Sequence, residues 1–336
     1  MDMLQYEHMN QPIDFLAIGD IVVDAFIQLK DAQVRPSDEG PELCLRFGDK
    51  VPFESATVVY GVGNSANAAV SASRLGLRSA LIADVGDDQN GRACAMALVK
   101  DGVVVDYLRG HEGMPTNYHY ALCFGPERTI LVKHEKYPYQ MPVIDSEVKW
   151  LYLSSVGESS LPYHQEIIAF LDAHPETKLV FQPGTFQMIF GIEALKGIYE
   201  RTDIFFCNVE EAKRILGIDA EITVLMQKLH ELGPKIVVVT DGPKGAYAYS
   251  EGQAWFMPIY PDPQPPTQRT GAGDAFASTF SSAIILGKSV EEALLWAPIN
   301  PMSVIQHTGA QFGLVTREAL ENYLATAPED FKPKRI

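Results

Sequence analysis

The sequence predicts an α/β protein: a doubly wound, mostly parallel sheet flanked by helices, with a small antiparallel β lid beside it. Three observations predict it. Short apolar runs alternate with helical patterns along nearly the whole chain. Runs such as Ile236-Val237-Val238-Val239 are apolar on both faces, as strands buried between two helix layers are. Two stretches break the alternation and read as short strands separated by turns.

The elements follow in order. Strands are expected at Phe15–Ile18, Ser79–Ala83, Trp150–Leu153, Lys178–Phe181, Ile204–Cys207 and Ile236–Thr240. Helices are expected at Ala66–Leu75, Gly91–Lys100, Pro162–Ala173, Glu210–Leu216, Ile222–Leu232, Ala275–Leu286, Val290–Trp296 and Arg317–Leu324. Their ends are marked: Ser289-Val290-Glu291-Glu292 is a capping box, and Thr316 is a good N-cap. The lid strands are expected at Ala25–Leu29, Glu42–Phe47 and Glu54–Val59. A hairpin, Asn117–Phe124 and Thr129–His134, turns at Gly125-Pro126-Glu127-Arg128. Pro258 to Pro266 holds five prolines and reads as a stiff connection. The expected division is an α/β domain of residues 13–24, 60–114 and 135–330, a lid of 25–59 and 115–134, and tails of 1–12 and 331–336.

At 336 residues and 46% hydrophobic composition, a large core is available. The net charge of −16 and pI near 4.9 argue against nucleic acid and anionic membranes as partners. Cys44, Cys94, Cys123 and Cys207 are scattered, with neither zinc spacing nor a disulfide framework, so reduced thiols in a cytoplasmic protein are expected. Met1 to Pro12 lacks the apolar core of a signal peptide, and no apolar run reaches membrane-spanning length.

The most informative segment is Thr270-Gly271-Ala272-Gly273-Asp274 before a helical pattern. Such a turn can converge successive backbone N–H groups at the positive end of a helix, an anion site. The Asp274 carboxylate beside it could deprotonate an attacking hydroxyl. A Gly followed by Asp is also an ordinary helix start. Gly61-Val62-Gly63-Asn64-Ser65-Ala66, with Asp84 downstream, matches a dinucleotide fingerprint and keeps an NAD-binding oxidoreductase as a rival. The same small residues would let a helix start approach a neutral polyol, with Asn67 bonding hydroxyls. Asn208-Val209-Glu210-Glu211 is a capping box that also suits a magnesium ion held through water. Thr240-Asp241-Gly242-Pro243-Lys244-Gly245 reads as a turn beside a nucleotide or simply as a turn. Asn300, between two prolines, either touches a base or caps a helix.

Together these segments resemble the ribokinase-like (PfkB-type) carbohydrate kinase family from about Phe15 to Leu324. The elements that carry the resemblance are Gly19 with Asp24, Gly63 to Asn67 with Arg74-Leu75-Gly76, Val85-Gly86-Asp87-Asp88 with Gly91, Asn208 with Glu211, Thr240 with Gly242 and Gly245, and the Gly271-Ala272-Gly273-Asp274 signature. The resemblance implies a ribokinase-like fold and transfer of the γ-phosphoryl of ATP to a sugar hydroxyl with Mg²⁺. It implies Asp274 as catalytic base and Gly271, Ala272 and Gly273 as an anion hole. It implies Asp24, Gly63, Asn64 and Asn67 as substrate contacts, Thr240, Gly242, Gly245 and Asn300 near the nucleotide, and Asn208 and Glu211 near magnesium.

Departures from the family pattern point away from ribose itself. Val62 replaces a usual Gly, Val22 stands where ribokinases carry Asn, and Gln182-Pro183-Gly184 replaces a frequent Asp-Pro-Asn. Gln268-Arg269 replaces Asp-Thr, which weakens a monovalent-cation site and leaves Arg269 free to reach the transferred phosphate. Arg128, Lys133 and His134 on the lid are candidates for a substrate substituent. The expected activity is that of a sugar kinase, with a nucleoside kinase of the same family as the alternative. Aromatics such as Tyr118, Tyr120 and Phe124 lining the pocket would favour a nucleoside; a small polar pocket would favour a sugar. A homodimer through the lid edges is also expected.

Overall fold

The computed structural model describes residues 11–38, 40–125 and 127–336. Most of the expected N-terminal tail, and Pro126 in the lid turn, lie outside the described residues. The chain opens with β1 (Phe15–Ile18) and passes through β2 (Val22–Leu29), the hairpin β3 (Gln33–Ser37) and β4 (Gly40–Cys44), and β5 (Phe53–Val62). It continues through α1 (Asn64–Arg74), β6 (Ser79–Gly86), α2 (Gln89–Lys100), β7 (Leu108–His111), β8 (Tyr118–Phe124) and β9 (Glu127–Leu131). The second half holds β10 (Trp150–Leu153), α3 (Leu161–Ala173), β11 (Lys178–Phe181), α4 (Thr185–Ala194), α5 (Lys196–Arg201), β12 (Thr202–Asn208), α6 (Val209–Leu216) and α7 (Ile222–Glu231). Then come β13 (Ile236–Thr240), β14 (Ala246–Ser250), β15 (Gln253–Met257), α8 (Ala272–Ile285), α9 (Val290–Trp296), α10 (Ile299–Val304), α11 (Arg317–Ala325) and β16 (Lys334–Arg335).

Ten strands form one sheet in the order β16-β15-β14-β13-β12-β11-β10-β1-β6-β7. From β13 to β7 every neighbouring pair is parallel; β14, β15 and β16 add antiparallel strands at one edge. Side chains alternate between two helix layers. Phe15 and Ala17 pack into the layer with α1 and α8, while Leu16 and Ile18 pack into the layer with α3 and α7. Burying each large apolar side chain contributes about 1.5–3 kcal/mol. A one-residue slip would exchange these faces, so the register is strongly held.

β1 lies between β6 and β10, which the chain reaches in opposite directions. That is a topological switch point, and ligands of open α/β sheets bind at the carboxyl ends of strands beside such a point. The second sheet, β5-β2-β8-β9, stands over that edge as the lid. It is mixed, because β2 and β8 run parallel. Its strand begins at Val22, earlier than expected, so Asp24 belongs to the lid and does not end the first strand region. The parts not foreseen are the strands β3, β7, β14, β15 and β16 and the helices α4 and α5; α10 is the short helix at which Asn300 was expected to sit. The expected strand at Glu42–Phe47 is the shorter β4.

Candidate active site

The helix with Asp274 starts at Ala272, three residues before the expected Ala275. Gly271 caps it with φ +78°, and a Cβ there would sit 2.3 Å from the Ala310 Cβ, so only glycine fits. No side chain caps this end. Ala275 N–H is the first to bond back, to Gly271 O at 2.8 Å. The N–H groups of Ala272, Gly273 and Asp274 are thus orphan donors of the first turn. Gly273 meets nothing within 4 Å of a notional Cβ, which leaves the approach open.

Asp274 is 8% exposed, and both its oxygens are held by amides. Asn67 Nδ2, from the first turn of α1, donates to Oδ2 at 2.9 Å. Gln182 Nε2, just past the end of β11, donates to Oδ1 at 3.2 Å. Gln182 Oε1 accepts from the hydroxyl of buried Tyr152, and Asn67 Oδ1 accepts from Gln311 Nε2 at 3.1 Å. Burial pushes the carboxyl up to about 6, against the opposing pull of the two amide hydrogen bonds. A carboxylate of that acidity is largely ionised at neutral pH and is a stronger base than an exposed aspartate.

A cleft of about 340 Å³ joins this carboxylate to the lid. Gly63, Asn64, Asn67, Gly271, Gly273, Asp274, Arg269 and Thr270 line one side. Asp24, His119, Arg128 and His134 line the lid side, with Asp20 and Ser155 from the carboxyl ends of β1 and β10 between them. Tyr139 Oη donates to Asp20 Oδ1 at 2.8 Å and accepts from Gly157 N at 2.9 Å, which fixes Asp20. Among the described residues Thr270 Oγ1 is buried without a hydrogen-bond partner, and Asp20 Oδ2 is buried facing His134 Nδ1 at 3.2 Å.

The other expected residues divide. Asn208 and Glu211 close a reciprocal capping box at the start of α6: Glu211 N donates to Asn208 Oδ1 at 2.8 Å, and Asn208 N donates to Glu211 Oε2 at 2.9 Å. Glu211 also adds to the upward push on Asp274, so its charge faces the same region. Among the described residues no cluster of three His, Cys, Asp or Glu could hold a metal. A hydrated magnesium ion needs few protein ligands, so one carboxylate and one amide remain a compatible donor set. Thr240 and Asn208 are register partners at the ends of β13 and β12, and Gly242 and Gly245 shape the turn beyond, both with positive φ.

Asn300 is not brought to the cleft. It is fully buried, donates to Thr279 Oγ1 at 2.7 Å and accepts from Val315 N at 2.8 Å, so it is a structural link and is withdrawn from the nucleotide set. Lys133 pairs with Glu135 at 2.7 Å and is 70% exposed, away from the cleft. The dinucleotide reading also fails on context. β5, which precedes Gly63, belongs to the lid and not to the parallel sheet, and Asp84 is engaged by Arg109 and His111 at 2.7 and 2.6 Å. Gln182, Gln311, Asp20, His119 and Ser155 were not foreseen as site residues. Of these only Gln182 carried a sequence signal, as a departure from the family pattern.

A buried carboxylate beside an open, uncapped helix start on an α/β scaffold is an arrangement suited to phosphoryl transfer. Comparison with known proteins fits this. The model of the pfkB family of carbohydrate kinases matches residues 34–317, and the chain belongs to that family. A 5-dehydro-2-deoxygluconokinase from Bacillus thuringiensis is 25% identical over 95% of this chain and 97% of its own length. An ATP-dependent 6-phosphofructokinase from Thermoanaerobacterium thermosaccharolyticum is 24% identical over 85% of each. Among solved structures, Arabidopsis thaliana ribokinase complexed with ribose and ATP superposes with TM-score 0.76 at 21% identity, covering 94% and 99% of the two chains. A nucleoside kinase from Methanocaldococcus jannaschii gives TM-score 0.75 at 19% identity, covering 94% and 100%. An E. coli structure in complex with ATP and Mg²⁺ gives 0.73 at 18% identity, covering 94% and 99%. The protein is a carbohydrate kinase of the ribokinase fold. Among the described residues no helix is long and apolar enough to cross a membrane.

Proposed function

We propose that the protein transfers the γ-phosphoryl group of ATP to a hydroxyl of a small sugar, with Asp274 as the base. The observation that carries this is the pairing of the buried, doubly clamped Asp274 carboxylate with the uncapped helix start at Gly271 and Gly273 in one cleft. The acceptor O–H presents its proton to Asp274 as its oxygen bonds to phosphorus. The bond from phosphorus to the β–γ bridging oxygen breaks, and its electron pair leaves with ADP. The first-turn amides bear the charge on the migrating group, which is where phosphoryl transfer needs help most. Arg269, at the cleft mouth beside Thr270, adds a further positive charge to that group.

Asp24, Gly63, Asn64 and Asn67 hold the sugar in this reading, together with Asp20. Thr240, Gly242 and Gly245 border the nucleotide. Magnesium, when bound beside Asn208 and Glu211, would neutralise phosphate charge. We divide the molecule into the large α/β unit and the lid, and place it in the cytoplasm as a homodimer.

A sugar is favoured over a nucleoside by the side on which the lid aromatics stand. Residues of one lid row alternate in face with the next. His119 and Asp24 are register partners and face the cleft; Tyr118 and Tyr120 flank His119 and take the opposite face, where Tyr120 is 45% exposed. The wall offered to the acceptor is polar.

A coupled ADP-release screen across sugars and nucleosides tests the reading. A hit among sugars is expected, with Asp274→Asn lowering kcat by at least about 10³-fold. Full activity in that variant would remove Asp274 as base. ATP with Mg²⁺, and not NAD, should raise the melting temperature.

A further inference from the structure

The lid side of the cleft brings one guanidinium, Arg128, beside two imidazoles, His119 and His134. Three cross-strand rows share the lid's inner face: Asp24 with His119, Ala121 with Ile130, and Cys123 with Arg128. His119, Arg128, Ile130 and His134 line the cleft. The two histidines each face an aspartate: His119 Nδ1 lies 3.4 Å from Asp24 Oδ1, and His134 Nδ1 lies 3.2 Å from Asp20 Oδ2. Arg128 has no such carboxylate. Among the described residues it makes no ion pair, and its Nε is buried without a hydrogen-bond partner. Among the described residues His119 Nε2 is buried without a hydrogen-bond partner as well. The two imidazole rings lie with centroids 5.0 Å apart, so these groups form one cluster.

Buried donors without partners cost stability unless something satisfies them. A guanidinium, planar and permanently charged, favours an anion with at least two oxygens. We propose that Arg128, His119 and His134 form a subsite for a negatively charged substituent of the acceptor, a carboxylate or a phosphate. The inference rests on the kinase reading above and narrows its substrate class to acidic sugars. The substituent sits on the lid side while the attacking hydroxyl sits at Asp274. Arg269 is on the other side of the cleft, beside the anion loop, and is left for the transferring group.

Matched acceptors separate the possibilities. ADP release is measured with D-glucose, D-gluconate and D-glucose 6-phosphate, and with D-fructose and D-fructose 6-phosphate. At least one charged member is expected to exceed its neutral counterpart about tenfold or more in kcat/KM, and which one does so tells carboxylate from phosphate. Arg128→Gln is expected to raise KM for the charged acceptor about tenfold or more with kcat within about threefold, and Arg128→Lys to recover part of that loss. Equal loss on charged and neutral acceptors, or preference for the neutral member of each pair, overturns the subsite. Binding of the same compounds without ATP, followed calorimetrically, keeps the two proposals apart. Charged ligands that bind wild type but not Arg128→Gln, without turnover, uphold the subsite and refute the kinase chemistry. Turnover of neutral sugars alone does the reverse. Absence of both binding and turnover for every charged compound overturns the subsite. Melting curves of both variants confirm that the lid is folded.

Discussion

Asp274 is under two opposed influences. Burial raises its pKa, and two amide donors lower it. With Asp274 as the proposed base, the balance at about 6 sets the expected acid limb of activity. The base must be ionised, so kcat/KM should rise with pH through about 6 and level off above it. The same shift sets a stability slope. The folded state holds its proton from the ordinary 3.8 up to about 6, so stability is greatest below that window and falls as pH rises through it. At 1.36 kcal/mol per unit the fall is about 3 kcal/mol at most. Asp274→Asn should lack this slope, which chemical denaturation at pH 4, 5, 6 and 7 will show; parallel curves for both proteins would disprove the shift.

Gln182 is the positioning residue that this balance exposes. Its amide reaches Asp274 Oδ1, and Tyr152 orients it from below. Gln182→Ala removes one donor that favours the ionised carboxylate. The acid limb should therefore move above 6, with kcat at neutral pH down roughly 10-fold, while the alkaline plateau recovers part of it. Gln182→Glu places a like charge beside the base and should move the limb further. A pH profile superimposable on wild type would assign Gln182 a packing role only.

At the scale of the element, the start of α8 concentrates the constraint. Gly271 has φ +78° and stands against Ala310. Gly271→Ala adds a left-handed alanine, about 1–2 kcal/mol, and a Cβ clash on top of it. The helix start must then shift, and with it every amide aimed at the anion. Melting should fall by several degrees, and activity should fall further than stability alone explains. An Ala variant with unchanged kcat would show that the turn need not be held so closely.

The same element shows what the sequence made legible. Gly271, Gly273 and Asp274 could be read because only particular residue types permit that turn. The parallel strands were legible because Val237 to Val239 and their like are apolar on both faces. Asn208 and Glu211 were legible as a cap, and the cap is what the structure shows. Gln182 and Gln311 were not foreseen as ligands of the site, because a glutamine carries no local signature; its partner lies 92 residues away in one case and 244 in the other. β14 and β15 were missed because their alternation of small and aromatic residues is short and runs into the proline segment. Asn300 misled for a related reason: a polar residue between prolines looks exposed until tertiary packing buries it.

For the molecule as a whole, the lid has two faces with different chemistry. The inner face carries Asp24, His119 and Arg128 over the cleft. The outer face carries a row that crosses all four strands: Val58, Ala25, Tyr120 and Leu131 are successive register partners. Val58, Tyr120 and Leu131 are 40%, 45% and 52% exposed. Among the described residues the edges of the lid sheet, β5 and β9, have no further strand beside them. An apolar face with free edges is a surface that proteins normally cover. A second copy of this chain can cover it symmetrically, burying the row against its equivalent. The prediction is a species of about twice 37.1 kDa in sedimentation at micromolar concentration. Leu131→Glu with Tyr120→Glu should return it to the monomer. Because the same strands present His119 and Arg128 on their other side, freeing the lid should raise KM for the acceptor more than it lowers kcat. A wild-type chain that sediments as one monomer at tens of micromolar would end the dimer proposal and leave the outer row as exposed apolar surface.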